Sequence, residues 1–280
     1  MKTEDDLERL AGELRYIITD CICRAGSGHI GGALSLVEIL TVLYERIMNI
    51  DPANPDWDDR DRLVISKGHA GPVLYAILAR KGYFPSQWLA TVNRIGTSLP
   101  SHTDCRRTPG VDMTTGSLGQ GFSCACGMAL AGRLSKMTHR VFCIIGDGEC
   151  DEGQIWEGAL FAAHFKLGNL VAICDCNGLQ IDGSTEQIMG LEPFADKWRS
   201  FGWQVYEVDG HDMPALEALF KSLPEEGDKP VMIVARTVKG KGNREVEGQV
   251  ASHNVFVTSP EAYCRLIEGL GCTPVALPYE

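Results

Sequence analysis

The sequence predicts an α/β protein of three layers, in which helices flank a mostly parallel central sheet. Short apolar runs rich in β-branched residues alternate with longer amphipathic or small-residue segments, the pattern of strand–helix–strand units. The stretch Val141–Gly183 contains one such unit in full. A chain of 280 residues is long enough to bury the core of one large domain. We therefore expect residues 1–280 to form a single domain.

Capping and turn residues separate the predicted elements, and no internal repeat or low-complexity tract appears. The first helix begins near Thr3 or Asp5 and stops at Gly26, because such residues favour a helix start and glycine favours a helix end. The other predicted helices are Leu34–Met48, Gly71–Lys81, Gly119–Ser135 and Glu152–Leu167. The predicted strands are Arg62–Ser66, Val141–Ile145, Leu170–Ile173, Gln204–Val208 and Val231–Arg236.

The most informative segment is VFCIIGDGECDEGQIWEGALFAAHFKLGNLVAICDCNGLQIDG, residues 141–183. A buried strand runs into Gly-Asp-Gly, an amphipathic helix follows, and a second buried strand ends near Asn177. Such a unit crosses over with a right hand, so both strand ends emerge at the edge of the sheet where open α/β proteins bind ligands. We therefore expect Asp147 and Asn177 to lie side by side at that edge.

Asp147 and Asn177 are candidate ligands of a divalent cation. Carboxylate and amide oxygens, together with the backbone carbonyl of Leu179, suit Mg²⁺, which usually also keeps phosphate and water oxygens in its shell. Ca²⁺ or Mn²⁺ would use the same oxygens. The alternative is a plain glycine-bounded turn and an Asn that caps a loop. The spacing of 30 residues is about one strand–helix–strand unit and favours the metal site.

Six motifs resemble those of transketolases and follow in the family's order. They are RAGSGHIGG (24–32), SKGHAGPVLY (66–75), LPSH (99–102), TGSLGQG (115–121), the GDG segment closing in Asp-x-Asn, and TVKGKG (237–242) followed by Ser-His-Asn at 252–254. The resemblance runs from about Leu7 to about Arg265. It implies the three-layer thiamine diphosphate-binding fold, with thiamine diphosphate and a divalent metal as cofactors.

Four of the seven histidines fall on these motifs and are candidate catalytic residues: His29, His69, His102 and His253. An imidazole suits proton transfer because its ordinary pKa lies near neutral pH. By resemblance, His29 and His253 transfer protons to and from the substrate. His102 holds a donor hydroxyl, and His69 contacts the diphosphate or the substrate. The remaining three, His139, His164 and His211, are interpreted as structural or turn residues.

The resemblance also implies a set of cofactor-binding residues. Two of them, Glu152 and Glu157, match family residues of a carboxylate network between paired active sites. A carboxylate at the start of a helix, favourable to the helix dipole, explains Glu152 equally well. Glu157 lies a full turn further along the helix, so the helix start does not explain it and the carboxylate network does. The full set is His69, Gly116, Ser117, Leu118, Gly146, Asp147, Gly148, Glu149, Glu152, Glu157, Asn177 and His253, with Asp147, Asn177 and Leu179 on the metal.

A transketolase also needs a pyrimidine-binding domain, whose carboxylate protonates the aminopyrimidine ring of the cofactor. In single-chain members this domain and the C-terminal domain follow the present one, and 280 residues leave no room for them. We therefore expect a partner chain, the C-terminal transketolase subunit, in a dimer of such heterodimers; a truncated chain is the alternative. The expected reaction is transfer of a two-carbon ketol unit from a ketose to an aldose, both sugar phosphates, through a carbanion of the cofactor.

Two departures from the family pattern bear on the donor sugar. Ile30 stands where proline is usual, and Thr103-Asp104 beside His102 stand where Pro-Glu is common. These departures leave the ketose open, including a modified or sulfonated sugar phosphate. The rival protein classes are the α-type subunit of a 2-oxo acid dehydrogenase, a deoxyxylulose-phosphate synthase and a non-catalytic regulatory subunit. The GSLGQG and GDGE segments and the four motif histidines argue against the first two. The intact Asp147, Asn177 and histidines argue against the third.

Composition excludes several other classes of protein. The net charge is −11, with 26 basic and 37 acidic residues and no basic cluster, which disfavours binding to nucleic acid or an anionic membrane. No apolar run reaches membrane-span length, and the start MKTEDDLERL is not a signal peptide. The eleven cysteines lack paired metal-site spacings and are expected to be buried free thiols. We therefore expect a cytoplasmic protein.

Overall fold

The computed structural model describes residues 3–224 and 227–271. Its first helix has the predicted boundaries. The Thr3 hydroxyl accepts a hydrogen bond from the Asp6 amide at 3.2 Å, and the Asp6 carboxylate accepts one from the Thr3 amide at 2.9 Å. This reciprocal capping box starts the helix. The helix ends at Gly26, whose φ of 85° is strained for residues other than glycine.

The elements of the described residues follow in chain order. The helices are α1 (Glu4–Ala25), α2 (Ile30–Leu34), α3 (Val37–Val42), α4 (Gly71–Lys81), α5 (Gln120–Leu134), α6 (Gly153–His164), α7 (Thr185–Ile188), α8 (Phe194–Ser200), α9 (Met213–Ser222) and α10 (Pro260–Glu268). The strands are β1 (Ser27–Gly28), β2 (Arg62–Ile65), β3 (Val141–Gly146), β4 (Leu170–Cys176), β5 (Gln204–Asp209), β6 (Val231–Arg236) and β7 (Val255–Phe256).

The central sheet has five parallel strands in the order β2-β3-β4-β6-β5. Every residue of β3 is buried, as expected for a parallel strand that is covered on both faces. The register pairs Gly146 with Asp175, so β3 and β4 end at the same edge. The predicted α/β fold with a mostly parallel sheet is confirmed. A separate antiparallel pair joins β1 to β7.

Two apolar cores lie on opposite faces of this sheet, which makes the protein three layers thick. Residues of β3 alternate between them: Phe142 and Ile144 pack with α1, α3, α4 and α9, whereas Val141, Cys143 and Ile145 pack with α5, α6 and α8. This alternation follows from the two-residue period of a strand. Each face of the sheet is therefore covered by helices.

Two predicted helices differ from the structure: the first is divided and the second is shorter than predicted. The predicted Leu34–Met48 helix consists of the end of α2, then α3, and a π-helical turn at Leu43–Ile47. The break occurs at Ser35, whose hydroxyl donates to the Asp175 carboxylate at 2.6 Å and also lies 3.2 Å from the Gly32 carbonyl. Such side-chain bonds compete with regular helix. The predicted Glu152–Leu167 helix begins one residue later and ends at His164, after a separate 3₁₀ turn, Gly148–Asp151.

The ten cysteines of the described residues are free thiols, as predicted, and six of them are buried. The predicted burial is wrong for Cys105 and Cys264, which are exposed, and only partial for Cys124 and Cys176. Burial raises the pKa of Cys126 to about 12, and it raises the pKa of Cys143 well above the ordinary value. These thiols therefore pack as small apolar groups. No helix in the part of the chain that the structure describes combines the length and the apolar character needed to cross a membrane.

Candidate active site

Asp147 and Asn177 lie together at the carboxyl edge of the sheet, directly after β3 and β4. The Asp147 carboxylate accepts hydrogen bonds from the Gly148 amide at 2.8 Å and the Gly178 amide at 2.6 Å, so it already joins the two loops. Burial and the charge of Asp175 raise the pKa of Asp147 to about 6. The predicted side-by-side placement of these residues is therefore found in the structure.

The Asn177 side chain is fixed by a hydrogen bond at each end of its amide. Its Nδ2 donates to the Asp175 carboxylate at 3.2 Å, and its Oδ1 accepts the Leu179 amide at 3.1 Å. An amide oxygen has two lone pairs, so Oδ1 keeps one acceptor position. These hydrogen bonds therefore fix the amide oxygen of Asn177 next to the backbone of Leu179.

Asp175 and Lys67 form a buried ion pair beneath this edge, which the sequence interpretation did not include. Their side chains are 0% and 3% exposed, and Lys67 also donates to the Gly32 carbonyl at 3.1 Å. The Asp175 carboxylate further accepts hydrogen bonds from the hydroxyls of Ser35 and Thr237. Burial opposes the ionised form of Asp175, but Lys67 and these donors outweigh it and hold the pKa below its ordinary value.

The four motif histidines meet in one cluster. The ring of His29 lies 5.4 Å from that of His69, 5.5 Å from that of His102 and 5.3 Å from that of His253, measured between centroids. His69 and His253 are 5.2 Å apart. The Nδ1 atom of His29 is buried and has no hydrogen-bond partner among the described residues. A buried ring nitrogen without a partner is the kind of atom that a bound ligand satisfies.

The four imidazoles are neutral near pH 7. Burial lowers the pKa of His29, His69 and His102. The positive charges of neighbouring lysine and histidine side chains lower the pKa of His29 and His69 further. For His253, burial and the charge of Lys239 lower the pKa to about 4. A neutral imidazole has one donor and one acceptor nitrogen. Each ring can therefore both give and accept a hydrogen bond at a sugar hydroxyl.

One cavity of about 250 Å³ joins the histidine cluster to the Asp147–Asn177 edge. The sequence-predicted residues that line it are His29, His69, His102, Gly116, Leu118, Gly146, Asp147, Gly148, Glu149, Asn177, Leu179 and His253. Lining residues that the sequence interpretation missed are Gly32, Lys67, Gln180, Ile181 and Lys239.

Three predicted cofactor-binding residues lie outside this cavity: Ser117, Glu152 and Glu157. All three are exposed, the two glutamates at the start and on the outer face of α6. Glu152 occupies the position before the first residue of α6, but its side chain accepts no hydrogen bond from that helix. Glu152 therefore lies at the start of α6, where a carboxylate is favourable to the helix dipole, but it forms no capping hydrogen bond. The cofactor role of these three residues stays a prediction.

Glu149 lines the cavity, and its carboxylate also connects two loops through hydrogen bonds. Its carboxylate accepts hydrogen bonds from the Ser66 hydroxyl at 2.5 Å and from the amides of Gly119 at 2.7 Å and Gly146 at 3.0 Å. Gly119 has φ of 81°, and a Cβ there would lie 2.6 Å from the Gln154 side chain, so only glycine fits. Glu149 thus fixes the TGSLGQG loop to the GDG turn.

Lys239 is the most informative residue that sequence reasoning missed. It is 3% exposed, and its Nζ lies 3.4 Å from His253 Nδ1 and 3.5 Å from the carbonyl oxygen of Leu179. Burial and the charge of Lys67 lower the pKa of Lys239 to about 8. A signal was present in the sequence, because Lys239 lies within the TVKGKG motif.

The departures from the family pattern do not reach the cavity. Ile30 is fully buried, and Thr103 is 1% exposed with its hydroxyl 2.7 Å from that of Thr115. The Asp104 carboxylate accepts the Arg106 amide at 2.9 Å within a turn. None of the three lines the histidine cavity.

The parallel sheet, the acidic and amide side chains at its carboxyl edge and the adjoining polar cavity define an α/β protein that binds a phosphorylated cofactor at that edge. Residues 7–274 match the family model of the transketolase thiamine diphosphate-binding domain. The chain belongs to the transketolase family and carries that domain. This result confirms the predicted family and its ketol-transferring chemistry, and it disfavours a 2-oxo acid dehydrogenase or a deoxyxylulose-phosphate synthase.

Relatives of similar length are named as subunits. The chain is 53% identical over 253 residues to the 6-deoxy-6-sulfo-D-fructose transketolase subunit SqwG of Clostridium sp. (strain MSTE9), covering 90% of this chain and 92% of that one. It is 40% identical over 266 residues to an apulose-4-phosphate transketolase subunit of Actinobacillus succinogenes, covering 94% and 96%.

A solved structure shows the same fold. The crystal structure of transketolase from Campylobacter jejuni superposes with a TM-score of 0.90 at 31% identity. The match covers 99% of this chain and 44% of that one. The chain thus spans less than half of that transketolase.

Proposed function

We propose that this chain is the diphosphate-binding subunit of a two-chain transketolase, completed by a C-terminal subunit that carries the pyrimidine-binding domain. Two such pairs would form a heterotetramer. The observation that carries the proposal is the cluster of four histidines beside Asp147 and Asn177 in one cavity. The subunit names of relatives of similar length support the same arrangement.

The donor set at the sheet edge fits a hard divalent cation such as Mg²⁺. Asp147 would supply a carboxylate oxygen, Asn177 its amide oxygen and Leu179 its carbonyl oxygen. Two features support this fit: Asp147 is buried and forms no ion pair among the described residues, and the ammonium group of Lys239 already lies at the Leu179 carbonyl. Both features are expected at a site that binds a cation. These three oxygens would hold the cation that accompanies the diphosphate group of thiamine diphosphate.

The chain's own residues would then bind the substrate and move its protons. When bound, thiamine diphosphate supplies the nucleophilic carbon and the electron sink that break the bond beside the ketose carbonyl. His29 and His253 would give and accept protons at the sugar hydroxyls, and His102 would hold a donor hydroxyl. His69 would contact the diphosphate or the substrate. Glu152 and Glu157, both exposed, would belong to a carboxylate network at the interface between pairs.

We further propose an anionic ketose as donor and the cytoplasm as the site of action. Two relatives are named for 6-deoxy-6-sulfo-D-fructose and apulose 4-phosphate, and the first is 53% identical to this chain. The sulfonated ketose is therefore the first donor to test, with D-xylulose 5-phosphate as the ordinary comparison. A reducing compartment suits the buried free thiols.

The test is a ketol-transfer assay of this chain together with a candidate C-terminal subunit from the same genome. The assay mixture contains thiamine diphosphate, Mg²⁺ and D-glyceraldehyde 3-phosphate as acceptor. The donor is 6-deoxy-6-sulfo-D-fructose, apulose 4-phosphate or D-xylulose 5-phosphate. We expect turnover only when both chains are present. The variants His29→Ala and His253→Ala should lower kcat by about 10²–10⁴-fold, the usual contribution of a proton-transferring side chain. Calorimetric titration should show that they still bind thiamine diphosphate.

His164→Ala is the matched control, because His164 is exposed at the end of α6 and outside the cavity. This variant should keep full activity. Turnover by this chain alone would refute the two-chain proposal. Absence of thiamine diphosphate binding, with and without the partner chain, would refute the cofactor assignment.

A further inference from the structure

Three partly buried side chains form a continuous hydrogen-bonded chain behind the cavity. Arg15 of α1 pairs with the carboxylate of Glu38 of α3, and Glu38 Oε2 lies 2.9 Å from Nδ1 of His211. The three side chains are 14%, 8% and 13% exposed. We call this group the His211 clamp. None of its members lines the histidine cavity, so direct contact with the substrate does not explain it.

The His211 clamp holds the segment that follows β6. The Val238 amide donates to Nε2 of His211 at 2.8 Å, and Arg15 Nε donates to the Lys241 carbonyl at 3.0 Å. These contacts hold the outer side of the segment. Its inner side carries Thr237, which donates to the Asp175 carboxylate, and Lys239, which lines the cavity. In this segment and the turn that follows it, Thr237 and Lys239 therefore serve the site, whereas the backbone of Val238 and Lys241 contacts the clamp.

The hydrogen bonds assign the tautomer of His211. A backbone amide can only donate, so Nε2 of His211 is the acceptor and carries no proton. The ring proton then sits on Nδ1 and is donated to Glu38, whose charge Arg15 balances. Burial opposes the charged form of Glu38, yet the His211 hydrogen bond and Arg15 hold the pKa of Glu38 below its ordinary value. An imidazole in this orientation joins the carboxylate to the Val238 amide.

We propose that Arg15, Glu38 and His211 are positioning residues that set the place of Thr237 and Lys239 in the cofactor site. The inference rests on the proposed function for the meaning of that site. A turn role alone requires only the backbone of His211, whose amide donates to the Asp209 carboxylate at 2.8 Å. The side-chain bond to Val238 is the additional feature. It links helices α1 and α3 to the loop that carries Lys239.

The first experiment measures hydrogen exchange of the Val238 amide in the full chain without cofactor. His211→Asn can keep the bond to Glu38 but is too short to accept from Val238, whereas His211→Gln can still reach Val238. Exchange at Val238 should be about tenfold faster in His211→Asn, the effect of losing one ordinary hydrogen bond. It should return to within about threefold of wild type in His211→Gln. Amides of β6 should be unchanged, and His164→Asn is the matched control.

The second experiment measures the Kd of thiamine diphosphate with Mg²⁺ for the full chain. His211→Asn should raise this Kd about three- to tenfold, and His211→Gln should restore it. In a Lys239→Met background, His211→Asn should add less than about twofold, because residues that act through one another are not additive. If wild type binds no thiamine diphosphate, the proposed function fails, while the exchange result still tests the clamp.

Two results would overturn the inference. One is unchanged exchange at Val238 in His211→Asn. The other is a Kd effect that His211→Gln does not rescue and that adds fully to that of Lys239→Met. If His211→Asn does not fold, Glu38→Gln replaces it. That variant weakens the clamp from its far end and should speed exchange at Val238 about threefold; no change there would count against the inference.

Discussion

Replacing Lys67 by Met is expected to destabilise the protein strongly. Lys67 pairs with Asp175 where both side chains are essentially excluded from solvent, at 3% and 0% exposure. Methionine has a similar length and fills the same space, so the change removes the ammonium group without opening a large cavity. What remains is a buried carboxylate that has lost its cation. It keeps three donors, from Ser35, Thr237 and Asn177.

Removing one partner of a buried ion pair costs about 3–5 kcal/mol, because the remaining charge stays desolvated. That is a large fraction of the roughly 5–15 kcal/mol by which a typical domain is stable. The matched control is Lys166→Met. Lys166 pairs with Asp228 at 2.9 Å, but these side chains are 60% and 69% exposed. Exposed pairs contribute about 0–1 kcal/mol, so the control should lose little.

Urea unfolding followed by tryptophan fluorescence at pH 7.5 measures both free energies of unfolding. The double variant Lys67→Met/Asp175→Asn should recover part of the loss, since it removes the uncompensated charge. The deficit of Lys67→Met should also shrink towards pH 5, because Asp175 without its cation can bind a proton more readily. An equal loss in Lys67→Met and Lys166→Met would refute the reasoning, as would a deficit that does not change with pH.

Three further predictions concern stability and use the same unfolding measurement. Gly119→Ala should lower the free energy of unfolding by at least about 1–2 kcal/mol, because φ is 81° and the new Cβ would meet Gln154. The control Gly127→Ala lies in α5 with nothing within 4 Å of the new Cβ and should raise it by about 0.5–1 kcal/mol; equal effects would contradict the geometry. Glu149→Gln should cost about 1–3 kcal/mol, because an NH₂ group would face a backbone donor, whereas exposed Glu186→Gln should be neutral. The His211 hydrogen bond and Arg15 hold the pKa of Glu38 below its ordinary value despite burial, so Glu38 contributes stability that is complete above its unfolded pKa and lost as the pH falls through its lower folded pKa. Glu38→Gln should therefore flatten the acid side of the stability–pH curve below about pH 4.5, and a curve parallel to wild type would count against this role.

The sheet and the metal-binding edge could be predicted because they depend on local patterns. Buried strands of four to seven residues are visible as apolar runs, and the handedness of a strand–helix–strand unit places Asp147 beside Asn177. The four histidines were found by resemblance, since nothing in their spacing requires that they meet. The two-residue pairing of β1 with β7 escaped prediction, because so short a strand has no period to detect.

The buried lysines could not be predicted from pattern. Lys67 and Asp175 are 108 residues apart, and neither shows from sequence that it is excluded from water. Lysine is ordinarily a surface residue, so Lys239 in TVKGKG is naturally interpreted as exposed. Tertiary structure decides both cases, since the segments after β2 and β6 turn inward over the same edge of the sheet. The signal that a sequence can offer is a lysine inside a glycine-rich motif at a strand end.

The two acidic residues at this edge differ in how many acceptor positions remain free. An ionised carboxylate has about four lone-pair positions. Asp175 accepts hydrogen bonds from four donors, with Lys67, Ser35 and Asn177 on Oδ2 and Thr237 on Oδ1. Asp147 accepts only two backbone amides, so about two positions remain for a cation. This difference explains why the proposed metal site uses Asp147 with Asn177 rather than Asp147 with Asp175, and why Asp175 acts by orienting the Asn177 amide.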